Sequence, residues 1–312
     1  MFAFSLAPIA GYTDLPFRRI CRRFGLRHAH TALIDAGALV HGNRDNDLIL
    51  ARGEDEDYLA VQLLGSRLDD IRTAAAILAG MDFDAVDFNM GCPVRKILRR
   101  EAGAALMRST EHATACLRAI RDAIPDRPLT VKTRILDEND PRPTIDFCLA
   151  LQDCGIQAIT IHGRLASRLY SGPVATGVIR AVREALRIPV IANGGIFSWQ
   201  DAVSLAEATG CERLMVARGA LGNPWLFREL TEQRPVRPSH EEVLAVMREH
   251  VGAMLDFYGE ASGIILARKI ILGYLCGRGY LRSLRAQAVF LASRRDFDEF
   301  SRLIEANPPH PL

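Results

Sequence analysis

The sequence predicts an α/β chain: a (β/α)8 TIM barrel over residues 1–235, followed by a small all-helical C-terminal domain over residues 236–312. Three observations predict it. The 312 residues exceed a typical single domain but suit one barrel with an appendage. Short apolar, often β-branched runs recur, each followed by a longer stretch with helical spacing, which is the pattern of βα units around a parallel sheet. Beyond Gln233 that alternation stops and only helical periodicity remains.

Eight runs read as strands: Phe4 to Pro8, His30 to Ile34, Leu59 to Leu63, Ala85 to Asn89, Leu129 to Thr133, Ala158 to His162, Pro189 to Ala192 and Arg213 to Ala217. Between them helices are expected, among them Ser109 to Ala123, Pro143 to Cys154, Thr176 to Leu186 and Ser198 to Ala208, the last with Ser198 as N-cap. Eight such units close a barrel more naturally than they fill an open sheet. The competing Rossmann-like sheet lacks its Gly-x-Gly-x-x-Gly after the first strand. The run Gln233 to Pro238, with two prolines, breaks the chain, and Ser239-x-x-Glu242 offers a capping box for the helices that follow.

Hydrophobic residues make up 49% of the chain. No apolar run reaches the roughly 18 to 20 residues of a membrane span, and no basic-then-apolar export signal opens the sequence, so a cytoplasmic protein is expected. The seven cysteines form no Cys-x-x-Cys pair, which argues against a disulfide framework and a zinc cluster and leaves most of them as reduced core fillers. A net charge of +2 says little by itself. Its distribution says more: Ala261 to Arg295 holds seven basic residues (Arg268, Lys269, Arg278, Arg282, Arg285, Arg294, Arg295) and no acid, a candidate phosphate-binding face or a solvated helix surface. Nothing in the sequence points to a protein partner.

In such a barrel the chemistry sits at the C-terminal ends of the strands. Those ends are polar here: Pro8-Ile9-Ala10-Gly11, Gln62, Asn89-Met90-Gly91-Cys92-Pro93, Lys132 and Arg134, and His162-Gly163-Arg164. Strands seven and eight run into Asn193-Gly194-Gly195 and Ala217-Arg218-Gly219, small residues that let backbone N–H groups approach a phosphate.

At those same segments, and at Tyr12-Thr13-Asp14, Val61-Gln62 and Ala220 to Trp225, the chain resembles the dihydrouridine synthase family over nearly its whole length. The resemblance implies FMN as cofactor, NADPH as reductant, a uridine of tRNA as substrate and a helical C-terminal domain that grips the RNA. In that reaction reduced flavin delivers a hydride to C6 of uracil and an acid protonates C5. Cys92 is the expected acid, because a thiol with an ordinary pKa near 8.5 is protonated at neutral pH. Lys132, one of three lysines among 39 basic residues, is expected to stabilise the electron-rich edge of the reduced flavin. Pro8, Ile9, Ala10, Gln62 and His162 complete the expected flavin site, with Asn193, Gly194, Gly195, Ala217 and Arg218 on its phosphate. Asn89 and Arg134 are expected to orient the uracil, and Lys96, Arg268 and Lys269 to face the RNA.

Several positions depart from the family pattern: Ala32 stands where a glutamate is common, Asp137, Gly195 and Ala217 replace other usual residues, and Ile270 and Gly273 replace a histidine and a tryptophan. Two other readings are a barrel flavoprotein of dihydroorotate dehydrogenase type acting on a small pyrimidine, and a catalytically degenerate RNA-binding barrel.

Overall fold

The structure, a computed structural model, describes residues 2–43 and 45–310. Met1, Arg44, Pro311 and Leu312, which fall within the expected domain limits, lie outside the described residues. Eight parallel strands close a barrel in chain order: β1 (Ala3–Leu6), β2 (His28–Asp35), β3 (Tyr58–Leu64), β4 (Ala85–Asn89), β5 (Leu129–Arg134), β6 (Ala158–His162), β7 (Val190–Asn193) and β8 (Arg213–Val216). Each expected strand is present, β4 and β6 with the expected bounds and the others with ends displaced by a residue or two. The first stops before Pro8 because proline has no N–H to donate: Ala7 still bonds Val216 O at 2.8 Å, and the ladder ends there.

Helices follow each strand: α1 (Leu15–Arg23), α2 (Ala36–Val40), α3 (Asp45–Leu50), α4 (Leu68–Ala79), α5 (Arg95–Leu98), α6 (Thr110–Ala123), α7 (Arg142–Gln152), α8 (Thr176–Ala185), α9 (Trp199–Thr209) and α10 (Trp225–Glu232). Ser109 and Ser198 each cap a helix, accepting from His112 N at 3.2 Å and Asp201 N at 3.1 Å. Asp14 caps α1 in the same way, with Pro16 in its first turn.

Along the strands, side chains alternate between two surroundings. Leu59, Val61 and Leu63, Val86 and Phe88, Leu129 and Val131, and Ile159 and Ile161 are fully buried and make the apolar layer. Gln62, Asp87, Asn89 and Lys132 hold the alternate positions, and hydrogen bonds between neighbouring strands join Gln62 to both Asp87 and Asn89. The barrel therefore carries polar groups up its axis to the C-terminal mouth.

Residues 233–239 carry no regular structure, and beyond them the chain is helical: α11 (His240–Tyr258), α12 (Glu260–Leu275), α13 (Arg282–Ala286) and α14 (Arg294–Ala306). Of the capping box expected at Ser239, only half forms. Ser239 accepts from Glu242 N at 3.2 Å, but the Glu242 carboxylate turns to α10, accepting from Trp225 Nε1 at 2.7 Å and Arg228 Nη1 at 3.2 Å. A charge-assisted bond to a buried indole outweighs one to an exposed cap amide.

The tail docks on α1 and α10 through aromatic contacts, with Phe17 stacked on His250 at 5.7 Å and Tyr274 edge-on to Trp225 at 6.0 Å. Gly273 is one reason the approach is so close: a Cβ built on Gly222 would lie 2.0 Å from the Gly273 carbonyl carbon, so the β8–α10 loop and α12 meet backbone to backbone. Ile270 is buried in the same core.

Cys276 corrects the expectation of a buried core filler, since it is exposed as the C-cap of α12. Among the described residues no helix is long and apolar enough to cross a membrane.

Candidate active site

A cavity of about 1120 Å³ opens at the C-terminal mouth of the barrel. Pro8, Ile9, Ala10, Asn89, Cys92, Lys132, Arg134, His162, Asn193, Gly194, Gly195, Ala217 and Arg218 all line it, contributed by the ends of six strands.

Cys92 lies in the turn after β4. Asn89 builds that turn, its Oδ1 accepting from Gly91 N at 3.1 Å and Cys92 N at 3.0 Å. The Asn89 amide is itself held by Gln62 Oε1 at 2.8 Å, and Gln62 Nε2 donates to Asp87 Oδ2 at 2.7 Å. Thr130 Oγ1 donates to the second Asp87 oxygen at 2.6 Å. A buried relay from β5 through β4 and β3 thus fixes the backbone that presents the thiol. Burial pushes the Cys92 thiol above its ordinary range, against the Val94 backbone N–H and the charges of Arg134 and Lys132, so it is protonated at neutral pH.

Gln62 is fully buried and off the cavity wall, so whatever it does for an occupant passes through Asn89. Asp87 was missed in the sequence; its signal was the two-residue spacing from Asn89, which puts both on one face of the strand.

Lys132 donates to Asn193 Oδ1 at 2.9 Å, and Asn193 Nδ2 donates to Met215 O at 2.7 Å. Burial, reinforced by Arg134, lowers the lysine to about 8, so it still carries its charge at neutral pH. His162 is driven further, down to about 2, by burial and then by Lys132, Arg134, Arg164 and Arg218. It is neutral. Arg164 can only donate, and its Nη1 lies 3.3 Å from His162 Nε2, so the proton sits on Nδ1.

Arg134 binds backbone oxygens: Gly91 O at 2.8 Å through Nε, and Arg164, Leu165 and Leu169 O through Nη1. It clamps the β4 and β6 loops together while still lining the cavity.

The β7 and β8 loops form a cradle. Gly194 and Gly195 have φ of 126° and 75°, and a Cβ on Gly194 would sit 2.9 Å from His162 Cδ2. No hydrogen bond within the described residues uses the amides of Gly195 and Ile196. The Arg218 guanidinium lies 4.2 Å from the Tyr170 ring centroid and 5.7 Å from that of Phe197, with no ion pair among the described residues. Open amides, the Arg218 guanidinium and neutral His162 are groups that could hold an anion. Tyr170 and Phe197, half-exposed aromatics on the cavity wall, were not picked out from the sequence.

The RNA-facing candidates fall elsewhere. Lys96 is exposed on α5 and outside the cavity lining, although Arg95 beside it lines the wall. Arg268 Nε donates to Leu291 O at 2.9 Å and Lys269 Nζ to Gly11 O. The acid-free stretch is only partly free of acids in space. Arg294 pairs with Asp256 at 2.9 Å and Arg295 with Glu299 at 2.9 Å, both acids lying outside it in sequence, while Arg282 is exposed and has no partner among the described residues.

The sequence profile described as "Dihydrouridine synthase (Dus)" matches residues 5–305. Curated relatives include a tRNA-dihydrouridine synthase B of Pasteurella multocida, 36% identical over 87% of this chain and 83% of its own length. Another, from Pseudomonas aeruginosa, is 34% identical over 90% of this chain and 86% of that protein. Among solved structures, a variant of NCR from Zymomonas mobilis has a TM-score of 0.52 at 14% identity, covering 76% of this chain and 88% of that one, a likeness of fold alone.

Proposed function

The chain belongs to the dihydrouridine synthase family, and on that premise we propose that it reduces the C5–C6 double bond of a uridine in tRNA, with FMN as cofactor and NADPH as reductant. The observation that carries the reading is one cavity holding a protonated thiol, a buried ammonium and an anion cradle at the ends of different strands. The residues present fit FMN. The Gly194–Gly195 turn leaves space that a side chain would fill, with free amides beside it and Arg218 without an ion pair among the described residues, which suits the acceptor-rich phosphate. Lys132 suits the electron-rich edge of the ring, and Pro8, Ile9 and Ala10 supply a low-polarity wall.

Bound and reduced, FMN supplies the hydride that uracil C6 receives. Cys92 delivers the proton to C5, and burial keeps that proton on sulfur until the base arrives. Asn89 fixes the Cys92 turn, and Gln62 acts through Asn89 as a positioning residue. His162 offers its Nδ1–H as a neutral donor towards the flavin or its phosphate. Arg134 holds the loops between which the base enters. Residues 236–312 serve as the tRNA-binding domain, with Lys96 and Arg268 assigned to the RNA backbone, in a protein of the cytoplasm.

The test is direct. The purified protein should carry or take up FMN, show the flavin band and form dihydrouridine in unmodified tRNA, mapped by mass spectrometry. A protein that cannot be reconstituted with FMN, or that reduces free pyrimidines and leaves tRNA untouched, would overturn the reading.

A further inference from the structure

Residues 7–14 join β1 to α1 and make one wall of the cavity, through Pro8, Ile9, Ala10 and Tyr12. Thr13 ties the segment to itself: its Oγ1 accepts from Ile9 N at 2.8 Å and donates to Ala7 O at 3.0 Å. Tyr12 N and Thr13 N both donate to Ile9 O, at 2.9 and 3.0 Å. The turn is therefore a small rigid unit, and what remains to be set is its position over the barrel mouth.

From the barrel, Ala32 N and Arg18 Nη1 hold Thr13 O, both at 3.2 Å, and two side chains of the tail hold the segment from the other side. Tyr258, the last residue of α11, donates to Asp14 Oδ2 at 2.9 Å. Lys269 of α12 donates to Gly11 O and places its ammonium 4.4 Å from the Tyr12 ring centroid. One contact is at the foot of the turn and the other at its tip, so the unit is held at both ends. We infer that Lys269 is a positioning residue that fixes the β1–α1 wall of the cofactor cavity from the helical tail; the consequence for FMN rests on the reading given above.

The chemistry of the residue suits that task. A carbonyl at the tip of an exposed turn and the face of a tyrosine ring form a site for a compact cation with rotatable donors, which a lysine fills and a planar guanidinium fills less well. In a chain where arginine supplies nearly all the positive charge, lysine stands at only three positions, Lys96, Lys132 and this one. The family resemblance places Lys269 on RNA, whereas its ammonium here is directed to the barrel, and Arg282 is left as an exposed cation of the tail with no partner among the described residues.

The experiment uses the full chain with K269M, which keeps the stem over Tyr12 and removes the donor, and Y258F as an independent lesion of the other contact. Three quantities are measured: hydrogen exchange of the amides of residues 9–13 without flavin, the FMN dissociation constant by fluorescence quenching, and the salt dependence of tRNA binding. R282A is the control for a lost phosphate contact. The expected result is faster exchange in both variants and FMN binding weakened roughly threefold to tenfold, the size of one lost hydrogen bond, with the salt slope as in wild type. A K269M protein with normal exchange and normal FMN binding, but with a log–log salt slope reduced by roughly 0.9 or less, is a phosphate-contact variant and overturns the inference. Faster exchange with an unchanged FMN constant also overturns it, since the lysine would then be merely structural. If wild type itself takes up no FMN, the flavin reading fails first, and the exchange data alone decide whether Lys269 holds the wall.

Discussion

Lys132 and Asn193 meet across the barrel mouth, the ammonium donating to the amide oxygen at 2.9 Å, and this bond joins the centre of the cavity to the start of the anion cradle. The consequence is that Lys132 is held in place before any cofactor arrives. Lys132→Ala should weaken FMN retention by about 1.5 to 3 kcal/mol, the value of a charge-assisted hydrogen bond. The lysine sits at about 8, so FMN affinity of the wild type should also fall as the pH rises through that value, where the charge is lost. Fluorescence titrations across pH 6 to 10 measure both, and a flat pH profile identical in wild type and variant would remove Lys132 from the flavin site.

Cys92→Ala should leave FMN bound and reducible by NADPH, because the proposed role of the thiol is to donate a proton to the base and not to hold the cofactor. Loss of a general acid costs about 10² to 10⁴ in rate, so reoxidation of the reduced enzyme by tRNA should slow by at least that order while reoxidation by dioxygen does not. Cys92→Ser should be nearly as slow, since a hydroxyl is a far weaker acid. Single-turnover flavin reoxidation decides it; a variant within a few-fold of wild type means that another group is the acid.

Gln62→Met should destabilise the fold by at least about 1 to 3 kcal/mol, because it strips a partner from the buried Asp87 carboxylate and from the Asn89 amide at once. Uridine reduction should fall as well, through the loosened Cys92 turn. Guanidinium unfolding gives the stability change, and a loss under about 0.5 kcal/mol would mean the relay is not coupled to the fold.

Acid should destabilise the protein through its buried histidines. His250 is held down at about 3 by burial and His162 at about 2, both below the ordinary value of 6.5. The unfolded chain therefore binds more protons over the window from about 6.5 down to those values, and stability, full above pH 6.5, falls as the pH drops through it. The slope should be on the order of 1.4 kcal/mol per pH unit for each histidine. His250 bonds Tyr274 through Nδ1 at 3.1 Å and has no partner at Nε2, so His250→Gln should remove one histidine's share of the slope. Denaturant midpoints at pH 7.5 and 5 check it; equal midpoints in wild type would rule the mechanism out.

Short apolar runs were enough to place all eight strands, since a strand of a parallel barrel is covered on both faces and reads as apolar whichever neighbour packs beside it. The polar strand ends were legible for a related reason. A barrel whose strands run in parallel delivers every strand end to one mouth, so Cys92, Lys132, His162 and Arg218 were bound to converge once the fold was known. What the sequence could not assign was partnership. Gln62 looks like a cavity residue until Asp87 and Asn89 are seen to occupy its amide. The stretch from Ala261 to Arg295 looks free of acid until Asp256 and Glu299, from either side of it, fold against Arg294 and Arg295. Glu242 leaves its own cap for a tryptophan on another helix, and Lys269 reaches Gly11 across 258 residues of chain. Such choices depend on which groups compete for one donor at one distance in three dimensions, and only the packed tertiary structure brings the competitors together.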